Sequence, residues 1–125
     1  MWQEILDKFR RYPAQEKVIR LILQRGFQIN EEARVVSGQI EIPHAQIARE
    51  LNVDRRVVDT TAQAIREDEA LWKIFRNVHS MTFLGDVAPI LGLGVIEITP
   101  VDAAKTGLLG DVASAVARNG LSIRQ

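Results

Sequence analysis

Residues His44–Gln63, HAQIARELNVDRRVVDTTAQ, determine the fold that we expect for the first two thirds of the chain. In their first half, Ile47, Ala48 and Leu51 recur at helical spacing, so these three side chains share one face. Asn52 follows directly, and Asn is one of the few residues that tolerates the left-handed conformation in which helices end. A first helix that ends at this residue is therefore predicted.

A second helix is predicted just after the turn. Asp54 is a good N-cap, because its carboxylate can accept a hydrogen bond from a free backbone N–H of the first turn. Within the segment Arg55–Gln63, Val58 and Ala62 are one helical turn apart and share an inward face, which Ile65 continues. Two short helices joined by a turn of about three residues form a helix-turn-helix pattern.

This stretch is similar to the helix-turn-helix of bacterial and archaeal transcription regulators. The resemblance implies DNA binding, with five residues facing the major groove: Arg55, Arg56, Asp59, Thr60 and Gln63. The dipole of a helix disfavours two arginines at its start, which also indicates a contact with nucleic acid. Two positions depart from the family pattern, because Asn52 replaces the usual turn glycine and Thr61 stands where an apolar residue is usual.

The composition limits the classes of protein to consider. The 125 residues fit one ordinary domain or two small ones. Hydrophobic residues make up 46% of the chain, yet no apolar run approaches the roughly eighteen residues that a membrane span needs. The N-terminus carries acidic residues and no long apolar segment, unlike a secretion signal. Without cysteine, disulfides, thiolate metal sites and thiol nucleophiles are excluded, and a cytoplasmic location with no membrane partner is expected.

The charge balance counts against a simple DNA-binding interpretation. Sixteen basic residues are matched by sixteen acidic ones, so the formal net charge is zero. Non-specific DNA affinity comes largely from Lys and Arg that neutralise phosphates. A basic face must therefore arise from the folded arrangement, by the addition of Lys17, Arg20, Arg25 and Arg34.

Three further helices are predicted in the same part of the chain. The first has an apolar face formed by Trp2, Ile5, Leu6 and Phe9. The second begins at Pro13 and stops at Gly26, with one face formed by Val18, Leu21, Ile22 and Arg25. The third follows Asp68, a candidate N-cap, and has its apolar stripe at Leu71, Ile74, Phe75 and Val78.

A small hairpin is predicted before the central stretch. Arg34–Val36 and Gln39–Ile42 are two short β-prone runs on either side of the turn pair Ser37–Gly38. A hairpin in this position, before the helix-turn-helix, differs from the usual winged arrangement.

The last third of the chain has the pattern of a β-α-β unit. Val95–Val101 is apolar enough for a buried strand, and a loop then leads from Asp102 to Gly107. A helix follows, with its apolar face at Leu108, Leu109, Val112 and Val116. A second strand is expected at Leu121–Ile123.

The segment VIEITPVDAAKTGLLGDVASAVARNGLSIRQ, residues 95–125, resembles the opening half of an ACT domain, the small βαββαβ module that senses amino acids. The family has an Asp-Arg-Pro-Gly-Leu-Leu-like loop, to which Lys105–Leu109 corresponds with Thr106 in place of Pro and Ala104 in place of Asp. The resemblance implies an amino-acid site at a dimer interface, formed by Asp102, Ala104, Lys105, Thr106, Gly107 and Leu108.

The order of the two patterns resembles an archaeal family of predicted regulators of amino-acid metabolism. It implies an α+β fold with a mainly helical, helix-turn-helix domain and a small hairpin over residues 1–80. A linker with a short helix over Phe83–Leu91, interrupted at Pro89, occupies residues 81–92, and a partial ACT-like domain occupies 93–125. A whole ACT domain needs more residues than follow Gly94, so we expect the natural chain to continue past Gln125.

No catalytic set is recognisable in the sequence. His44 and His79 are the only histidines and no cysteine assists them, so neither a metal site nor a Ser-His-Asp triad is indicated. Both histidines are expected to be exposed residues at helix ends. We expect no enzymatic activity and no cofactor.

Two functions remain open. The patterns favour a ligand-responsive transcription regulator, a homodimer that binds double-stranded DNA through the helix-turn-helix and an amino acid through the ACT-like segment. The alternative is a protein-protein adaptor whose helix-turn-helix is a packed scaffold that does not bind DNA, and the zero net charge favours it. A salt-titrated DNA-binding assay separates the two.

Overall fold

Two helices open the chain. The fold is taken from a computed structural model that describes residues 2–124, with the backbone alone at residue 2. Helices α1 (Trp2–Phe9) and α2 (Pro13–Arg25) confirm the two helices predicted here. The chain leaves α2 through Gly26, whose φ of 65° is left-handed. The predicted apolar face of α1 is buried at Ile5, Leu6 and Phe9, while the place predicted for the Trp2 side chain lies outside the described residues.

A three-stranded antiparallel sheet follows, formed by β1 (Gln28–Ile29), β2 (Val35–Ser37) and β3 (Ile40–Glu41) in that order. Val36 lies opposite residue 28 on one side and residue 41 on the other. Strands β2 and β3 are the predicted hairpin. Strand β1 was not predicted, because two residues are too few to produce an alternating pattern.

Three helices complete this part of the molecule: α3 (His44–Leu51), α4 (Arg55–Glu67) and α5 (Glu69–Phe75). Asn52 ends α3 in the left-handed conformation, with φ of 52°. The carboxylate of Asp54 caps α4 by accepting the backbone N–H of Arg56 at 2.8 Å. Asp68 caps α5 in the same way, although α5 ends before the last apolar residue of its predicted stripe.

Helix α4 lies at the centre of the packing, in contact with α2, α3, α5 and β1. Its buried residues are Val58, Thr61, Ala62 and Ile65. Thr61 is fully buried, and its hydroxyl donates to the carbonyl of Val57 at 2.6 Å. The threonine that departs from the family pattern therefore occupies an apolar position without leaving an unsatisfied hydroxyl.

The chain packs as two units, Met1–Thr82 (unit 1) and Phe83–Gln125 (unit 2). Unit 2 contains a 3₁₀-helix at Ala88–Leu91 and the helix α6 (Leu108–Arg118). Helix α6 confirms the helix predicted there. The short helix predicted over Phe83–Leu91 is wrong for its first half, because only the last four residues are helical.

The two strands predicted in unit 2 are also wrong. Within residues 83–124, neither Val95–Val101 nor Leu121–Ile123 forms a β-ladder. Their apolar side chains are exposed, to 73% at Ile96, for example. Strand preference depends on packing against neighbours, and in the part of the chain that the structure describes no second strand or covering helix buries these segments. No helix in the described part of the chain has the length and apolar character needed to cross a membrane.

Candidate nucleic-acid interface

Helix α4 presents a polar stripe to solvent on the side opposite its core residues. Arg56, Thr60, Gln63 and Glu67 are exposed and recur every three or four residues, so they lie on one side of the helix. Arg55 is exposed beside them, whereas Asp59 is only partly accessible. Four of the five residues predicted to face DNA therefore lie together on an open helix face.

The two arginines at the start of α4 are both paired with carboxylates. The Nε and Nη2 atoms of Arg56 donate to the two carboxylate oxygens of Asp54 at 3.1 and 3.2 Å. These hydrogen bonds lower the pKa of Asp54 and raise that of Arg56. The Nε of Arg55 lies 3.6 Å from Asp59. Nearby carboxylates offset the helix dipole, which accounts for cations at this helix start.

Asp59 holds a second partner that sequence reasoning missed. Its Oδ1 lies 2.6 Å from Nδ1 of His44, and Nε2 of His44 accepts the backbone N–H of Val35 at 3.2 Å. Since Nε2 is the acceptor, the proton of the neutral ring is on Nδ1 and is donated to Asp59. The imidazole thus joins β2, α3 and α4. The expectation that His44 is exposed is wrong, because only 6% of the residue is accessible.

The Asp59–His44 pair does not have the geometry of a catalytic dyad. In a Ser-His-Asp arrangement the second ring nitrogen must face a hydroxyl nucleophile. Here that nitrogen accepts a backbone N–H from Val35. His79 is exposed, as expected, and its Nδ1 lies 3.2 Å from Nε2 of Gln28. In the described residues, no three His, Asp or Glu side chains are grouped so that they could hold a metal ion.

A shallow cleft of about 490 Å³ runs beside α4, between the loop before β2 and the start of α3. Three carboxylates and two guanidiniums line it, on Glu32, Glu41, Asp59, Arg34 and Arg55. The ionised side chains therefore give the cleft a negative balance, which repels phosphate.

Three of the four basic residues that we expected to extend this face lie on α2, a different helix from α4. Lys17, Arg20 and Arg25 are exposed on α2, and Arg20 is bound to Glu16 at 2.7 Å. Of the four, Arg34 lines the cleft together with Arg55.

The residues predicted to bind an amino acid form an open turn in unit 2. The carboxylate of Asp102 accepts the backbone N–H of Ala104 at 3.0 Å. Residues 102–107 are exposed and Leu108 is half-buried. Gly107, with φ of 81°, precedes α6, and a Cβ added there would meet no heavy atom within 4 Å. The loop residues are thus close together because they are consecutive in the chain. Apart from its chain neighbours, no described residue closes the space beside Gly107.

No protein-family model matches this chain, no curated protein matches it, and no solved structure matches it.

Proposed function

We propose that the protein binds double-stranded DNA, with α4 placed in the major groove. The observation that carries this proposal is that three residues of the stripe, Arg56, Thr60 and Gln63, are polar, exposed and held on a helix whose other side is fixed in the core. The fourth, Glu67, accepts a hydrogen bond from Gln63 at 2.7 Å. To read base edges, a helix must be held rigidly and must carry short and long hydrogen-bonding side chains on one face.

The side chains of the stripe have suitable chemistry. Arginine pairs with the O6 and N7 atoms of guanine, and glutamine with the N6 and N7 atoms of adenine. The Arg56 side chain is 85% exposed, and its guanidinium can exchange Asp54 for a guanine. Asp54 keeps the backbone N–H of Arg56 after that exchange, so the helix cap persists.

The wider role that we propose is a transcription regulator, a cytoplasmic homodimer whose two copies contact two half-sites. An amino-acid response through residues 102–108 has narrower support. Gly107 leaves the backbone N–H groups at the start of α6 free of a neighbouring side chain, and helix starts favour carboxylates. Calorimetric titration with the twenty amino acids tests this part, and the absence of any binding would reject it.

Substitution of Arg56 tests DNA binding directly. Duplexes are first selected from a random pool with the full chain, and the affinities of variants are then compared. Arg56→Ala should weaken binding to the selected duplex by roughly 1–3 kcal/mol, the size of one base-edge contact, with an unchanged circular dichroism spectrum. Arg118→Ala, which removes an exposed arginine from α6, is the matched control and should bind as the parent does.

An adaptor without DNA affinity is the second candidate. It is favoured by the pairing of both arginines at the start of α4 with carboxylates and by the negative balance of the cleft. If no duplex binds the unmutated chain with a salt-dependent affinity, the DNA proposal fails and the adaptor remains.

A further inference from the structure

A tryptophan on α5 contacts two arginines, one of them near the C-terminal end of α4. Trp72 is half-buried on α5, and the guanidinium carbons of Arg66 and Arg76 lie 4.1 and 4.6 Å from the centroid of its ring system. At these distances the ring attracts each cation. We refer to these three residues as the Arg-Trp-Arg cluster.

Two hydrogen bonds connect the cluster to β1 and to the residues that follow it. The Nε of Arg66 donates to the carbonyl of Glu31 at 3.1 Å, and the carbonyl of Arg76 accepts from the side chain of Gln28 at 3.4 Å. Within residues 2–124, no carboxylate forms an ion pair with either arginine of the cluster. The guanidinium of Arg66 is therefore held by a hydrogen bond and by the ring, that of Arg76 by the ring, and neither charge is compensated by an ion pair, unlike those at the start of α4.

The side chains of the cluster contribute hydrogen-bond donors alone. A guanidinium that stacks on an aromatic face keeps N–H groups free at its edge. The indole N–H of Trp72 is buried, and it has no acceptor in the part of the chain that the structure describes. The two guanidiniums, with free donors at their edges and no acceptor, match an anion rich in acceptor oxygens, such as a phosphodiester.

The position of Arg66 connects the cluster to the α4 stripe. Residues three apart on a helix are neighbours, so Arg66 adjoins Gln63. The rise from Arg56 to Arg66 is roughly 15 Å at the α-helical spacing. The major groove is about 12 Å wide. A helix that reads bases with its N-terminal residues therefore brings Arg66 to the phosphates at the groove edge.

We propose that Arg66 and Arg76, stacked on Trp72, bind the phosphate backbone of the DNA that α4 reads. This inference rests on the proposed function. It assigns sequence-independent affinity to the C-terminal end of α4 and sequence selectivity to the N-terminal end.

The salt dependence of DNA affinity tests the inference in the full chain, with a mixed-sequence duplex as the probe. Each phosphate contact contributes about 0.9 to the slope of log affinity against log salt. The double variant Arg66→Gln, Arg76→Gln should therefore reduce that slope by about 1.8. The double variant Arg66→Lys, Arg76→Lys keeps both charges and should keep the slope. Lys73→Gln is the matched control, because Lys73 is exposed on α5 and already paired with Glu69 at 2.8 Å.

The outcomes separate this inference from the proposed function. An unchanged slope in the glutamine double variant, beside the expected loss of affinity in Arg56→Ala, overturns the cluster proposal and leaves DNA binding in place. If the unmutated chain binds no duplex, both the cluster proposal and the DNA proposal are overturned. If the cluster captures an acidic protein instead of DNA, the cluster proposal is overturned. If loss of the Arg66 hydrogen bond unfolds the double variant, Arg76→Gln alone decides, with an expected slope change of about 0.9.

Discussion

Units 1 and 2 both contain amphipathic helices, yet they bury very different fractions of their apolar residues. In unit 1, sixteen buried apolar residues form a single cluster to which the helices and the sheet contribute. Among the described residues of unit 2, Ala88 is the only buried apolar residue. Helix α6 has an apolar side, but no residue of α6 is buried. Amphipathic spacing is therefore sufficient to predict a helix and insufficient to predict its burial.

The difference follows from the range of the interactions. A helix depends on spacing, caps and propensity within about a dozen residues. Burial depends on which other elements lie opposite, and α4 contacts three helices and a strand. This packing holds the stripe of α4 in one orientation, which a DNA-reading surface needs.

The largest effect is expected from the removal of a core aromatic side chain. Phe75 is fully buried in unit 1, and Phe75→Ala should lower the free energy of unfolding by about 3–5 kcal/mol. Leu109, on α6, is 81% exposed, and Leu109→Ala should change the free energy by less than about 0.5 kcal/mol. Urea denaturation followed by circular dichroism measures both. A loss above about 1 kcal/mol in Leu109→Ala would show that unit 2 buries this side chain in solution.

The next effect concerns the imidazole that joins three elements of unit 1. His44→Ala leaves the N–H of Val35 without its acceptor and Asp59 without its donor. The expected loss of unfolding free energy is about 2–4 kcal/mol, because buried groups left without partners are costly. His79→Ala removes an exposed histidine from the same unit and should cost less than about 1 kcal/mol. Equal losses in the two variants would contradict the role assigned to His44.

Local signals predicted most of unit 1. Asn52, Asp54 and Asp68 are residues whose preference for helix ends is intrinsic, and each ends or caps a helix as expected. The same reasoning overpredicted unit 2. The apolar run Val95–Val101 suits a strand, but a strand needs a hydrogen-bonding partner, and the sequence cannot state whether one is present.

The surface was harder to predict than the helices. The resemblance to helix-turn-helix regulators singled out Arg56, Thr60 and Gln63, and these residues lie on one exposed face. The contact between His44 and Asp59 depends on how α3 crosses α4, which no short-range pattern contains. Trp72 is not part of the apolar stripe predicted for its helix, Leu71, Ile74, Phe75 and Val78, and its place outside that stripe is the sequence signal of the Arg-Trp-Arg cluster.

Gly26 in unit 1 and Gly107 in unit 2 both have positive φ, but the surroundings of Gly26 are crowded and those of Gly107 are open. An alanine at Gly26 would have its Cβ 2.6 Å from the backbone of Ser80, in addition to the left-handed φ. Gly26→Ala should therefore cost about 2–3 kcal/mol of unfolding free energy, more than conformational strain alone. At Gly107 the space is open, so Gly107→Ala should cost about 1 kcal/mol of strain within unit 2. Thermal or urea denaturation of the two variants measures the difference, and a greater loss at Gly107 would contradict it.

The smallest expected effect is a dependence of the free energy of unfolding on pH, which arises at the start of α5. A carboxylate caps α5, whereas α6 has no side-chain cap. Lys8 donates to Asp68 at 2.6 Å, and together with the N–H of Leu71 it lowers the pKa of Asp68 below its ordinary value of 3.8. A lowered pKa means that the ionised carboxylate stabilises the folded state. That contribution is complete above 3.8 and is lost as the pH falls through the lower pKa of the folded state.

Asp68→Asn keeps a side chain that can cap the helix but removes the charge. It should lower the free energy of unfolding by about 0.5–1 kcal/mol near neutral pH, the usual size for a partly exposed ion pair and a charge at a helix start. The gap between the two proteins should narrow once the pH falls below 3.8. Lys8→Met, which removes the partner and leaves the carboxylate, should show a smaller loss because the bond from Leu71 remains. Urea denaturation at a series of pH values measures these differences. A gap that stays constant between neutral pH and about pH 2 would mean that the charge of Asp68 does not contribute to folding.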